Sequence, residues 1–239
     1  RLTEYNPIDR LAALAQAILD GAPPTEKVIV AEPPRLDTLA LPYDEYTDED
    51  LQHRLTYVEA SRGCPFGCEF CLSSLEPRVR EFPLEPFLAA LERLLERGAR
   101  RFKFVDRTFN LRRERMDAVF GFFQRHDCDD MTVHFEIVPD RLDEYMMERI
   151  ASFPPGRLHL EAGIQSCTPA ALEAIGRKQD TEKALAALAA LRENTGARIH
   201  ADLIAGLPHD TWDTFAESFD RVVATRPHEL QVGILKRLK

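Results

Sequence analysis

The chain has 239 residues, and its 31 Lys and Arg residues against 40 Asp and Glu give a formal net charge of -9. With 44% hydrophobic and 30% charged residues it holds enough apolar material for one sizeable core, which argues against a disordered or fibrous protein. The acidic balance argues against binding to nucleic acid or an anionic membrane, and no apolar run reaches the roughly 18 residues that a membrane span needs. We therefore expect a cytoplasmic protein with one main domain.

Residues 1–54 are predicted to form an arm or linker of helical and irregular structure. Apolar residues recur at helical spacing over residues 8–19, and Gly21 is placed to end that helix. The chain starts at Arg1 and not at Met, and it stops at Lys239 without a terminating signal. We therefore expect the arm to lead from a missing upstream domain, and the chain to be truncated at its C-terminus.

Residues 55–239 are predicted to alternate strands with helices, the pattern of a parallel sheet with right-handed crossovers. The predicted strands are 56–60, 102–105, 132–138, 158–164, 199–204 and 230–235. The predicted helices lie near 85–97, 111–125, 141–152, 169–193 with a break around residue 180, and 211–224. Gly98 is a predicted C-terminal cap, and Thr181 and Asp210 are predicted N-caps.

The predicted strands alternate between apolar and polar side chains. Val133, Phe135 and Ile137 alternate with His134 and Glu136, and the same pattern recurs in the three strands that follow. Successive side chains of a strand point to opposite faces, so one face of the sheet is apolar and the other is polar. A doubly wound sheet would have continuous apolar strands. We therefore predict an α/β fold, a partial (β/α)6 barrel of the TIM type, with a polar interior.

The inner face is also predicted to carry His134, His159 and His200. A histidine in such a place is commonly a buried, hydrogen-bonded structural residue. Substrate contact or proton transfer is the alternative.

A C-x3-C-x2-C run, formed by Cys64, Cys68 and Cys71, follows the first predicted strand. Three thiolates at this spacing can ligate three irons of a cubane cluster and leave the fourth iron open to a small molecule. The alternatives are a zinc site completed by a distant His, in a protein that serves only as a binding module, and thiols without a metal. Zinc sites usually use paired C-x2-C units, and no second pair occurs in the sequence. The spacing therefore favours an iron–sulfur cluster.

Five motifs around this run make residues 55–239 resemble the radical S-adenosylmethionine (SAM) enzymes. The motifs are YVEASRGCPFGCEFCLSS, FKFVDRTFN, HFEIVPDRL, EAGIQS and DLIAGLPHDT. They are similar in particular to cobalamin-associated radical SAM proteins with a C-terminal domain of unknown function. The resemblance implies a [4Fe-4S] cluster held by the three cysteines, reductive cleavage of SAM to a 5′-deoxyadenosyl radical, and hydrogen abstraction from an unknown substrate. It also implies a one-electron donor such as flavodoxin or ferredoxin.

The resemblance further implies which residues contact SAM. These residues are Phe70, Glu136, Gln165, Arg177, Asp202 and Gly206. Carboxylates can accept protons from ribose hydroxyls or an amino group, and a guanidinium can pair with the methionine carboxylate. Glu136, Gln165 and Asp202 lie on the polar face of their strands, which supports the assignment independently. Arg177 as a surface cation and Asp202 as a buried structural acceptor are the alternatives.

The sequence departs from the family pattern in two places. Many relatives have a Gly-Gly-Glu segment after the second strand that receives the SAM amino group. This chain has Asp106 and Thr108 there as candidates. The Asp-x-His-x-x-Gly motif of cobalamin-binding domains is absent, so we expect cobalamin-dependent methylation only through a domain outside this chain. An RNA-modifying radical enzyme is a further alternative, and the acidic charge argues against it.

Overall fold

A computed structural model of the chain describes residues 8–25 and 33–236. The chain divides into two compact units, Arg1–Leu41 and Pro42–Lys239. The first unit contains helix α1 (Ile8–Leu19), as the spacing predicted. The second unit begins before residue 54, where we placed the end of the arm, so residues 42–54 belong to the main compact unit.

The second unit contains the sheet and its covering helices. The strands are β1 (Thr56–Val58), β2 (Ser61–Arg62), β3 (Arg80–Glu81), β4 (Arg101–Phe104), β5 (Thr132–Ile137), β6 (Leu158–Gln165), β7 (Arg198–Ala205) and β8 (Glu229–Ile234). The helices are α2 (Asp48–His53), α3 (Leu84–Glu96), α4 (Arg113–Arg125), α5 (Glu144–Ala151), α6 (Pro169–Ala174), α7 (Thr181–Asn194) and α8 (Trp212–Ala224). Six strands form one sheet in the order β1-β4-β5-β6-β7-β8, and all its pairings are parallel. The α/β prediction is therefore confirmed.

The two faces of the sheet follow the predicted alternation. On β5, Val133, Phe135 and Ile137 are buried, whereas His134 and Glu136 are half-buried. The apolar side chains of the outer face pack on the helices that return from one strand to the next. This leaves the polar side chains on the inner face, at the place where a ligand can reach them.

Three helix caps were predicted, and the structure confirms one of them and moves the other two by one residue. Gly98 follows α3 with a φ of +101°, a left-handed conformation that glycine adopts without strain, so the predicted cap is confirmed. The N-caps of α7 and α8 are Asp180 and Thr211, so Thr181 and Asp210 were wrong by one residue. In both places two good capping residues are adjacent, and the sequence does not reveal which one takes the extended conformation.

The segment before β1 covers the outer edge of the sheet. The Tyr46 hydroxyl accepts a hydrogen bond from the Tyr57 N–H and donates one to the Tyr57 carbonyl, both at 3.0 Å. The Tyr43 hydroxyl accepts from the Glu59 N–H at 2.8 Å and donates to the Glu59 carbonyl at 3.3 Å. Two side chains thus satisfy main-chain groups that a neighbouring strand would otherwise bind, which explains why the compact unit includes these residues.

None of the described helices combines the length and the apolar character that a membrane span requires.

Candidate active site

A cavity of about 400 Å³ opens at the carboxyl ends of the parallel strands. Nearly all the residues that the sequence pointed to line it. They are Cys64, Phe70, Cys68, Cys71, Glu136, Gln165, Arg177 and Asp202. Gly206, the remaining one, lies in the turn after β7 with a φ of +89° and is not among the lining residues.

The backbone of the cysteine loop is fixed at its base. Strands β2 and β3 pair antiparallel and close the loop, and the Cys64 N–H donates to the Glu76 carbonyl at 2.9 Å. Gly63 has a φ of +95°, and a side chain there would lie 2.3 Å from the main-chain oxygen of Arg78. Only glycine therefore allows the two sides of the loop to approach so closely.

The turn after α6 holds the far side of the loop. The Glu69 N–H donates to the Ile175 carbonyl at 2.9 Å, and a side chain on Gly176 would lie 2.9 Å from a main-chain oxygen of the loop. This close packing brings the next residue, Arg177, beside the cysteines, with its Nη1 atom 3.7 Å from the Sγ atom of Cys68.

Arg177 is half-buried, and neighbouring groups hold its guanidinium in place. Its Nε atom donates to Gln179 Oε1 at 2.9 Å, and Nη2 donates to the Gly163 carbonyl. These contacts hold the guanidinium in the cavity wall, so Arg177 is not a surface cation.

Gln165 stands at an irregularity of the sheet. The register between β6 and β7 shifts between Gly163 and Gln165, and Gln165 has a φ of +71°, which is unusual for a residue other than glycine. A side chain at Gly163 would lie 2.3 Å from Gln165 Nε2. The bulge and the missing side chain together direct Gln165 into the cavity, and backbone strain of this kind is concentrated at functional sites.

Glu136 is paired with a residue that the sequence analysis did not select. Arg107, which follows β4, places its Nη1 atom 2.7 Å from Glu136 Oε1, and both residues line the cavity. Burial raises the pKa of Glu136, and the charge of Arg107 opposes this rise. The two residues are 29 positions apart in sequence, so only the pairing of β4 with β5 brings them together.

Asp202 lines the cavity from the neighbouring end of β7. Gln231 Nε2 donates to its Oδ1 atom at 3.2 Å, and His200 Nε2 lies 3.2 Å from the same atom. Burial raises the pKa of Asp202, and His200 acts against this rise. Its second oxygen accepts no hydrogen bond from a described residue, so it is available to a ligand in the cavity.

The structure distinguishes between the two candidates for binding the SAM amino group. Asp106 is buried, and its carboxyl group accepts from the Ala60 N–H at 2.9 Å and from the Ser61 hydroxyl at 2.5 Å. Burial raises the pKa of Asp106 to about 6. Thr108, by contrast, lines the cavity. Asp106 therefore anchors the start of the cysteine loop, and Thr108 is the candidate that a ligand can reach.

The predicted inner-face histidines lie deeper than the cavity walls. His134 Nε2 is 2.8 Å from Glu161 Oε2, and His200 is beside Asp202. The rings of His134 and His159 are 6.3 Å apart. None of the three lines the cavity, whereas Glu161 does. Glu161 follows the same alternation on β6, which places it on the inner face, and the sequence analysis assigned it no role.

The three cysteines are chemically suited to an iron–sulfur cluster. All three thiols are free and line the same cavity. Among the described residues, no three His, Cys, Asp or Glu side chains stand close enough together to ligate a single metal ion. A cubane needs one thiolate for each of three separate irons, and the three thiols that line this cavity supply that number of ligands.

Comparison with known families decides the class. A family model described as the radical SAM superfamily matches residues 58–222. The chain belongs to the radical SAM superfamily. It is therefore a radical SAM enzyme, as its motifs indicated, and the zinc-stabilised binding module is set aside.

Two curated relatives support this membership over most of the chain. An uncharacterized methyltransferase of Pyrococcus horikoshii is 27% identical over 175 residues, which cover 72% of this chain and 37% of that protein. The ribosomal protein uS12 methylthiotransferase RimO of Trichlorobacter lovleyi is 26% identical over 182 residues, which cover 70% of this chain and 40% of that protein. The chain thus spans about two fifths of the length of these relatives.

A solved structure shows the same fold. TsrM from Kitasatospora setae, a radical SAM methyltransferase solved with cobalamin and a [4Fe-4S] cluster, matches with a TM-score of 0.67 and 19% identity. The match covers 77% of this chain and 37% of TsrM. The predicted partial barrel of the TIM type is thereby confirmed.

Proposed function

We propose that this chain is a catalytic core that cleaves SAM reductively and directs the resulting 5′-deoxyadenosyl radical at a substrate in the barrel. One observation carries the proposal. The three cysteines and five of the six residues that the resemblance assigns to SAM line one cavity. A site that must hold a cluster and a zwitterionic sulfonium next to each other needs this combination of thiolates, carboxylates and a guanidinium.

Nine of the residues that line the cavity have a part in this proposal. Cys64, Cys68 and Cys71 would hold the [4Fe-4S] cluster, which supplies the single electron that splits SAM into methionine and the radical. Arg177 would bind the methionine carboxylate, and Thr108 the amino group. Glu136 and Asp202 would accept hydrogen bonds from the ribose, with Gln165 beside them. Phe70, which packs against a buried apolar cluster that includes Leu172 and Leu207, would give the adenine an apolar surface.

The test begins with anaerobic reconstitution by iron and sulfide, followed by reduction and EPR spectroscopy with and without SAM. We expect a [4Fe-4S]+ signal whose g values change when SAM is added. Cys68→Ala should lose this signal, whereas Cys128→Ala, a change of a free cysteine outside the loop, should keep it. A wild-type signal that is indifferent to SAM would contradict the proposed SAM site.

For the whole protein we propose methyl transfer as the reaction class, with cobalamin supplied by a domain outside this chain and the electron by a flavodoxin or ferredoxin. The two curated relatives named as methyl- or methylthiotransferases support this class. Incubation of the whole protein with methyl-deuterated SAM tests it. Deuterium in a product other than methionine supports methyl transfer, whereas 5′-deoxyadenosine with deuterated methionine as the only deuterated product would contradict it.

A further inference from the structure

A second polar group lies beneath the residues proposed for SAM. We call it the inner triad, and it consists of Lys103 on β4, His134 on β5 and Glu161 on β6. These strands are neighbours in the sheet. Lys103 on β4 and His134 on β5 are register partners. Glu161 is the register partner of Glu136, so it lies two residues closer to the carboxyl ends of the strands than His134 does. The triad therefore connects the floor of the barrel to the cavity.

The two donors of the triad use the same oxygen atom. Lys103 Nζ lies 3.0 Å from Glu161 Oε2, and His134 Nε2 lies 2.8 Å from it. No described residue donates to Glu161 Oε1. Glu161 lines the cavity, whereas Lys103 and His134 do not. The arrangement thus fixes the carboxylate from below and leaves one oxygen for a ligand above.

The charge around Glu161 determines which ligand would suit that oxygen. An ionised carboxylate accepts hydrogen bonds and donates none. Its negative charge is already balanced by Lys103, and that of Glu136 by Arg107. At Glu161 itself an additional cation is not needed for balance, and a carboxylate or phosphate placed next to its Oε1 atom would be repelled. The best complement is a neutral group with an N–H or O–H bond.

The walls above the triad favour a partly apolar ligand. Phe66 and Leu72 line the same cavity. A flat or branched apolar body could pack on these side chains while one polar hydrogen reaches the floor. This combination of an apolar wall and one placed acceptor is the common design of small-molecule sites.

We propose that Glu161 Oε1 binds a neutral N–H or O–H group of the substrate, and that Lys103 and His134 are positioning residues that hold Glu161 for this purpose. This inference rests on the proposed function, because it places the substrate beneath SAM. It assigns the substrate to the neutral hydrogen-bond donors, such as heteroaromatic N–H, amide or hydroxyl compounds.

Matched probes test the assignment without the natural substrate. Indole carries a neutral N–H group, and N-methylindole has the same ring without it. Benzylammonium and benzoate represent the cationic and anionic classes. Binding of each probe to the reconstituted protein is measured by equilibrium dialysis with and without SAM. The EPR change on adding SAM is recorded for each variant, as a check that its cluster and SAM site are intact.

Wild-type protein should bind indole about tenfold more tightly than N-methylindole, the effect of one hydrogen bond to a charged acceptor. In Glu161→Gln the amide oxygen must serve Lys103 and His134, so the amide NH2 would face the cavity. The preference for indole should then disappear. Glu229→Gln, an exposed glutamate on β8, is the matched control and should keep the preference.

A second variant covers the case in which Glu161→Gln does not fold. Lys103→Met keeps the length of the side chain and removes the balancing charge, so the preference should move from indole towards benzylammonium. A purely structural role for Lys103 would weaken all four probes alike.

Three outcomes would overturn the inference. Equal binding of indole and N-methylindole by wild type, together with a normal SAM response, would overturn it and leave the proposed function intact. Tightest binding of benzylammonium by wild type would overturn the neutral class. A wild-type cluster that does not respond to SAM would overturn the proposed function, and with it the placement of a substrate beneath SAM.

Discussion

The outer and inner faces of the six-stranded sheet are built by alternate residues of the same strands, yet they hold opposite kinds of side chain. The outer face contains the fully buried Phe102, Phe104 and Phe135, which contact further aromatic rings. The inner face contains half-buried carboxylates, of which Glu136 and Glu161 have cationic partners. Burial of the apolar outer face stabilises the fold. Partial burial of the charged inner face costs part of that free energy, and it keeps the charged groups where a ligand can reach them.

The largest effect is expected on the outer face. Phe135 is 0% exposed, and its ring centroid lies 3.9 Å from that of Phe109 and 4.5 Å from that of Phe104. Phe135→Ala should lower the free energy of unfolding by about 4 kcal/mol, through lost burial and the cavity that remains. Urea denaturation measures it. Phe219→Ala, at an exposed position of α8, is the control and should cost less than about 1 kcal/mol.

A smaller effect is expected at Asp106, which is buried like the outer face but carries a carboxyl group. Its pKa of about 6 in the fold exceeds the ordinary value of 3.8. Its contribution to stability is therefore complete below about pH 4 and is lost as the pH rises through about 6. A rise of two pKa units corresponds to about 3 kcal/mol.

Asp106→Asn removes this loss, and its amide can still accept from the Ala60 N–H and donate to the Ser61 hydroxyl. It should raise the free energy of unfolding by about 2–3 kcal/mol at pH 8 and change it little at pH 4. Chemical denaturation at both pH values measures this. Equal effects at the two pH values would show that the carboxyl group is not protonated by burial.

The next prediction concerns Asp202, which lies on the inner face. Burial raises its pKa as well, so it also opposes folding once the pH is above its pKa. Because the cavity is open to solvent, we expect Asp202→Asn to stabilise the protein at pH 8 by only about 1 kcal/mol. The same variant should weaken the EPR change on adding SAM. Stabilisation without any effect on the SAM response would remove Asp202 from the proposed SAM site.

The smallest effect is expected at Glu161, where the inner face is best paired. His134 and Lys103 lower the pKa of Glu161 to about 2, from an ordinary value of 4.5. The stability that this pairing adds is present above about pH 4.5 and is lost as the pH falls through about 2. Glu161→Gln should therefore cost about 1 kcal/mol at pH 7 and less at pH 3, after allowance for solvent screening. A gain in stability at pH 7 would contradict a net favourable pairing.

Much of this arrangement could be predicted because it depends on short-range patterns. The alternation along β5 and its neighbours identified the inner face, and Cys64, Cys68 and Cys71 are marked by their spacing. Predictions of this kind need only the two-residue repeat of a strand or the reach of one loop.

The missing parts depend on contacts between distant residues. The pair of Arg107 and Glu136 and the pair of Lys103 and Glu161 join residues 29 and 58 positions apart. Their partners are set by which strands are neighbours and by register, and no local pattern reveals which of several inner-face charges will meet. The contacts of Tyr43 with Glu59 and of Tyr46 with Tyr57 also join residues that are apart in sequence, so no local pattern predicts them.

The hydroxyl groups of Tyr43 and Tyr46 also bear on whether the edge of this sheet can pair with another molecule. A shortened chain that began after residue 54 would leave the N–H and C=O groups of Tyr57 and Glu59 open at the edge of β1. Open edges of this kind recruit strands from other molecules. Two tyrosines, placed where the sequence looks like a connecting arm, therefore act as protection against edge-to-edge aggregation.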